Sequence, residues 1–181
     1  FTAGLAHTPP AMKLEARHIH PALPWLDDRG KPIQAHGGGV IRVDGEYFWF
    51  GEDRSPDNDP DTCRVSCYSS TDLIHWRFRN QVFVALNPDQ VDGLWQIERP
   101  KVFHNKKTGK FVMYMHMDGQ APGNWSRYSI ARVGIAVCDT VDGNYEYVRS
   151  FRPLGKESRD IGQFIDDDGA AYLIFECRPE K

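Results

Sequence analysis

Apolar and polar residues alternate along this chain in short runs that break at turn-forming residues, the period of strands rather than helices. The clearest unit is Val40-Ile41-Arg42-Val43, then Asp44-Gly45, then Glu46-Tyr47-Phe48-Trp49-Phe50-Gly51. An Asp-Gly pair between two such runs predicts a tight β-hairpin. The unit recurs. Lys101-Val102-Phe103-His104 passes through Lys107-Thr108-Gly109 into a strand over 110–115, and Gly162-Gln163-Phe164-Ile165 passes through Asp167-Asp168-Gly169 into a strand over 170–175. The turn glycines stand at 45, 109 and 169, so the spacings are 64 and 60 residues. A second element follows the first two hairpins. Residues 64–72 form a strand and polar turn ending near Trp76, and residues 132–139 form its counterpart ending near Tyr145.

A repeat of about 60 residues holding about four strands is one blade of a β-propeller. The pattern predicts an all-β chain with blade one over about 33–85, blade two over about 95–150 and the start of blade three over 158–181. Residues 1–20, with Thr8-Pro9-Pro10, read as a lead or linker, and the partial propeller as residues 21–181. Propellers carry about four to eight blades, so roughly two and a half are expected to leave the ring open. Open blade edges would favour association through unpaired strands. A compact β-sandwich is the competing architecture, but sandwiches rarely repeat at this period.

Composition changes the picture in three places. The net charge of −3 supplies no basic face for phosphates, so nucleic acid is excluded as a main partner. No run of apolar residues is long enough for a membrane span. Aromatics reach 12 % with five Trp, which suits stacking on sugar rings and equally suits strand cores. The four cysteines contain no CxxC pair, which argues against zinc, and their disulfide state stays open. Asp57-Asn58-Asp59-Pro60-Asp61 alternates acids as a calcium loop does. It lacks Gly at the sixth position (Thr62) and Glu at the twelfth (Tyr68), so it reads first as a solvated loop, with a structural calcium site as the alternative.

Three acids sit at the ends of the repeated strands: Glu52, Glu98 and Asp160. In a propeller the innermost strands line the axis, so these carboxylates are expected to meet at one mouth. Paired carboxyls are the usual machinery of glycoside hydrolysis. The competing reading pairs each acid with an arginine such as Arg99 or Arg159.

The same stretches carry a resemblance. Ile33-Gln34-Ala35-His36-Gly37, Tyr47-Phe48-Trp49-Phe50-Gly51-Glu52-Asp53, Val65-Ser66-Cys67-Tyr68-Ser69-Ser70, Glu98-Arg99-Pro100-Lys101-Val102, and Pro153-Leu154-Gly155 through Ser158-Arg159-Asp160 together resemble the family 43 glycoside hydrolases. Within that family the chain is most similar to the exo-β-1,3-galactanases. The resemblance implies a five-bladed propeller, no cofactor, a galactan substrate and inverting release of galactose, with a secreted or periplasmic location. It implies catalytic roles for Glu98 and Asp160, with Asp160 as the modulating aspartate, and a sugar-binding role for Glu52. Arg99, Tyr128, His36 and Trp125 are further candidate substrate contacts. Most of the family holds a base aspartate before Val-Ile-Arg-Val; here Gly37-Gly38-Gly39 stands instead. The galactanases share that departure, which weighs against an arabinosidase or xylosidase. The general acid is expected beyond Lys181, so the chain is expected to be inactive alone or to act as a carbohydrate-binding propeller. Glu176 and Glu180 lack the strand context of such an acid. His116 reads as packing.

Overall fold

The computed structural model describes residues 18–20, 22–56 and 62–178. The acidic loop 57–61, most of the N-terminal lead and Glu180 lie outside the described residues. Strands β1 (His36–Val43), β2 (Glu46–Glu52), β3 (Cys63–Ser70) and β4 (Arg77–Ala85) form one antiparallel sheet in chain order. Strands β5 (Gln96–Asn105), β6 (Lys110–Asp118), β7 (Arg132–Cys138) and β8 (Glu146–Phe151) repeat it. Strands β9 (Ile161–Ile165) and β10 (Ala171–Phe175) are a hairpin. The fold is therefore all-β and of propeller type, with two complete four-stranded sheets and the first hairpin of a third.

The predicted turn chemistry operates where it was read. Asp44 and Gly45 both take positive φ, 48° and 87°, the requirement of a two-residue hairpin turn whose twist matches its strands. The lead strands of the three sheets lie side by side, β1 against β5 and β5 against β9, so their ends share one axis.

The two sheets pack face to face around one apolar cluster. Phe48, Phe50, Val65 and Cys67 come from the first sheet, and Val102, Met113, Met115 and Met117 from the second. Burying each large side chain contributes roughly 1.5–3 kcal/mol before entropy is counted. Polar ties cross the same seam: the Tyr145 N–H donates to the Val82 carbonyl at 2.6 Å, and Arg79 pairs with Asp142 at 2.7 Å. A second cluster of Trp25, Trp49, Trp76, Tyr68 and Phe78 holds the segment before β1 onto the outer face of the first sheet. The hairpin β9–β10 has less cover, with Phe164, Tyr172 and Ile174 all exposed. All four cysteines are free thiols, with Cys67 buried in the core. No helix among the described residues is long and apolar enough to cross a membrane.

Candidate active site

Two bulges shape the mouth where the lead strands end. The β1–β2 register slips between His36 and Gly39, and the β5–β6 register slips between Glu98 and Lys101. Bulges re-aim side chains next to functional sites. At the second bulge Arg99 is held at φ 51°, a left-handed conformation that costs a non-glycine residue about 1 kcal/mol or more. That reversal points the Arg99 N–H at Glu52 Oε1, 3.0 Å away. It also brings Arg99 Nε to 2.5 Å from Asp160 Oδ1.

Glu52, at the end of β2, is buried yet fully served. Its other oxygen accepts from Arg54 Nε at 2.8 Å and from Arg54 Nη2. Gly37 faces it, and Gly38 lies against the backbone of Phe50 and Gly51 on β2. A Cβ at Gly38 would lie 1.7 Å from the Phe50 carbonyl oxygen, and one at Gly37 would lie 3.0 Å from Glu52 Oε1. A side chain at Gly37 or Gly38 is thus opposed by close neighbours, whereas one at Gly39 would meet only the Lys101 side chain at short range.

Glu98, at the start of β5, accepts from the Tyr128 hydroxyl at 2.5 Å. Burial first, and then the bond to Glu98, push the Tyr128 phenol up to about 12, so it stays a donor. Arg54 Nη2 stands 3.9 Å from the same oxygen. The second oxygen of Glu98 faces His116 Nδ1 at 3.4 Å.

Behind Glu98 lies a buried polar hub. Asp118 is fully enclosed and accepts from the backbone N–H groups of Gly119, Ile130 and Ala131 at 2.9, 2.8 and 3.0 Å. Its other oxygen meets His116 Nε2 at 3.1 Å and Arg159 Nη1 at 3.3 Å. Burial works to raise this carboxyl, but the His116 and backbone hydrogen bonds outweigh it and hold Asp118 down at about 2. Arg159 also binds Glu157 at 3.0 Å and the Tyr128 carbonyl at 3.3 Å, which ties the loop carrying Tyr128 to the segment before β9.

Lys101 closes the floor between blades. Its ammonium donates to the carbonyls of Gly37 and Arg99 at 2.8 and 3.2 Å. Burial, then the Arg99 charge, lower this amine to about 8 against the pull of Glu52 and Asp160.

Glu52, Arg54, Trp95, Glu98, Gln120 and Tyr128 line a cleft of about 610 Å³. A wider hollow of about 830 Å³ lies between residues 18–28 and 69–77, and none of the three carboxylates reaches it. Of the sequence-predicted residues, Glu52, Glu98, Arg99, Tyr128 and Asp160 come together. His36 and Trp125 do not join them. His36 is exposed and its Nε2 rests 3.1 Å from Gln34 Oε1, while Trp125 is 92 % exposed at a loop tip. Arginine pairing does occur: Asp160 pairs with Arg99 and Glu52 with Arg54, while Arg159 serves Asp118.

Sequence reasoning missed Arg54 and Asp118, and took His116 for packing. Met113, Met115 and Met117 do pack, whereas His116 projects to the polar side of the same strand. Glu98, His116 and Asp160 each bring a ligating atom within 4.8 Å of the others. Arginines already supply positive charge there, Arg99 on Asp160 and Arg54 beside Glu98, so the cluster does not read as a metal centre.

The profile of Glycosyl hydrolases family 43 matches residues 34–181. Among solved structures, the exo-β-1,3-galactanase of Phanerochaete chrysosporium, crystallised with β-1,3-galactotriose, is 38 % identical with a TM-score of 0.73, covering 86 % of this chain and 35 % of its own. The exo-β-1,3-galactanase of Clostridium thermocellum is 36 % identical with a TM-score of 0.71, covering 86 % of this chain and 34 % of its own. The chain thus spans about a third of the length of these relatives. No curated protein matches it.

Proposed function

The chain belongs to glycosyl hydrolase family 43, and on that premise we propose that it serves the exo-acting, inverting release of galactose from β-1,3-galactan. The observation that carries this reading is the cleft in which Glu52, Glu98 and Tyr128 converge, beside a turn of three glycines that carries no carboxylate. In it Glu52 and Tyr128 bind the terminal sugar, and Glu98 and Asp160 position and tune the reaction. The similarity to galactanases, one of them holding a galactotriose, supports the choice of sugar.

Glu98 and Asp160 present oxygens within 4.8 Å of each other. The two carboxyls of an inverting pair stand roughly 6.5–9.5 Å apart to admit water. Glu98 and Asp160 therefore act from one side, and the general acid is a separate carboxyl across the bond. Among the described residues, Glu176 does not fill that place: it is exposed and bound to the Asp160 segment through its backbone. The 181-residue chain alone should then bind galactose without releasing it.

The test measures binding of galactose, β-1,3-galactobiose and xylobiose by NMR titration, alongside galactose release from β-1,3-galactan. The galactose ligands should bind and xylobiose should not, with Tyr128→Phe weakening galactobiose about tenfold, the value of one hydrogen bond to a charged group. Preference for xylobiose would overturn the specificity. Steady turnover by the chain alone would overturn the placement of the acid.

A further inference from the structure

The polar hub behind the cleft contains a pair that cannot stand as drawn without an extra proton. His116 is 2 % exposed, and its Nδ1 has no hydrogen-bond partner although Glu98 Oε2 lies 3.4 Å away. We propose that His116 is a positioning residue: one proton held between its Nδ1 and Glu98 Oε2 fixes the Glu98 carboxylate for the sugar. The inference rests on the reading of the cleft as a galactose site.

The argument starts at Asp118. An ionised carboxylate only accepts hydrogen bonds. Asp118 is kept ionised by four donors besides the imidazole, three of them backbone N–H groups. His116 Nε2, 3.1 Å from Asp118 Oδ2, must therefore carry a hydrogen. On a neutral ring that leaves Nδ1 as a bare lone pair, and it faces the oxygen of a second carboxylate. Two acceptors repel. The contact becomes attractive when a proton lies between them and the ring donates from both nitrogens.

The surroundings favour that state. Glu98 on β5 and Asp118 on β6 face the two ring nitrogens, and an Asp160 oxygen lies within 4.8 Å. The Tyr128 ring packs beside the imidazole at 6.3 Å between centroids, and its hydroxyl is already committed to Glu98 Oε1. The nearest guanidinium contacts are one step removed, Arg159 through Asp118 and Arg54 through Glu98. A proton on His116 is thus the only direct donor to Glu98 Oε2 among the described side chains. With it, Glu98 is clamped at both oxygens, by Tyr128 and by His116. Without it, one clamp becomes a repulsion and the carboxylate swings off the sugar. Galactose affinity should accordingly fall when the ring loses that proton.

Two substitutions separate this from a packing role. His116→Asn places an amide near the Nδ1 position, able to donate to Glu98 at any pH. His116→Gln places it near Nε2, keeping Asp118 served while abandoning Glu98. We expect His116→Asn to bind galactose within about threefold of the parent at pH 6 and to lose the pH dependence. We expect His116→Gln to bind about tenfold more weakly, the loss of one charge-assisted hydrogen bond. Equal binding and equal pH profiles in the parent and both variants would overturn the proposal. Ring ¹⁵N shifts of His116 at pH 6 give a reading that needs neither variant nor sugar. Both nitrogens should be protonated in the parent, and the ring should turn neutral in Glu98→Gln, whose amide can donate to Nδ1. A ring with one protonated nitrogen in the parent, or one unchanged by Glu98→Gln, also overturns it. A chain that binds no galactose at any pH defeats the sugar reading instead, and the ring shifts still decide the proton.

Discussion

Gly38→Ala should destabilise this chain more than its size suggests. A Cβ there meets the Phe50 carbonyl oxygen at 1.7 Å and its carbon at 2.7 Å. Carbon and oxygen approach no closer than about 3.3 Å in ordinary contacts, so β1 must retreat from β2 by roughly 1.5 Å at the bulge. Both obstructing atoms are backbone of a buried core strand, which leaves no side-chain rotation to absorb the strain. Overpacking of this kind costs about 1–3 kcal/mol. Losing one or two ladder hydrogen bonds adds about 1 kcal/mol each. A total near 3–4 kcal/mol should lower Tm by about 10 °C for a chain of this length. Two controls bracket the effect. Gly39→Ala meets only the Lys101 Cδ at 2.9 Å, the middle of a movable side chain. Gly45→Ala meets nothing within 4 Å but must adopt φ 87°, a strain of about 1 kcal/mol. Thermal unfolding followed by circular dichroism gives the order. If Gly38→Ala melts within about 2 °C of the parent, or loses less than Gly45→Ala, the glycine turn is not pressed on β2, and the steric reason for glycine at 38 is wrong.

Asp118 and Lys101 each make stability rise with pH, one at the acid end of the scale and one at the alkaline end. The folded value of Asp118, about 2, lies below the ordinary carboxyl value near 3.9, so its contribution is full above about pH 4 and is lost as pH falls towards 2. Asp118→Asn should flatten that acid limb in a urea-melt series and lower stability at pH 7 by about 1–3 kcal/mol, since Arg159 loses one of its two carboxylates and keeps Glu157; an unchanged limb would show that other carboxyls control it. Lys101, held at about 8 mainly by burial, lies below its unfolded value near 10.4, so the unfolded chain binds the extra proton and stability from this group rises between about pH 8 and 10.4. A ¹³Cε titration should show one lysine with a midpoint about two units below the rest, absent in Lys101→Met, and a uniform set near 10.4 would refute the burial argument.

The parts of this structure that were legible in the sequence are those set by local chemistry. Asp44-Gly45 demands positive φ at two adjacent residues, and the hairpin it closes carries Glu52 to the end of β2 without help from the rest of the chain. The repeat then places Glu98 and Asp160 at equivalent strand ends, so their meeting followed from period alone. What was not legible depends on which faces are buried. His116 and Asp118 sit two apart on β6 and therefore share a face, but alternation with three methionines made His116 look like one more packing residue. Both sides are in fact enclosed, Met113, Met115 and Met117 against the first sheet and His116 and Asp118 beneath the Tyr128 loop. A strand buried on both faces cannot carry His and Asp unpartnered, because each unpaired polar group costs about 1–3 kcal/mol. The His-x-Asp spacing in a methionine-rich strand was thus a readable signal once the blade stacking implied by the repeat was taken seriously. Trp125 fails for the converse reason. Pro and Gly around it announce a loop, but only tertiary contacts decide whether a loop tip folds over a cleft, and this one turns outward. A candidate site in a repeat protein is therefore best sought by asking which polar residues the stacking must bury, before asking which loops could close over it.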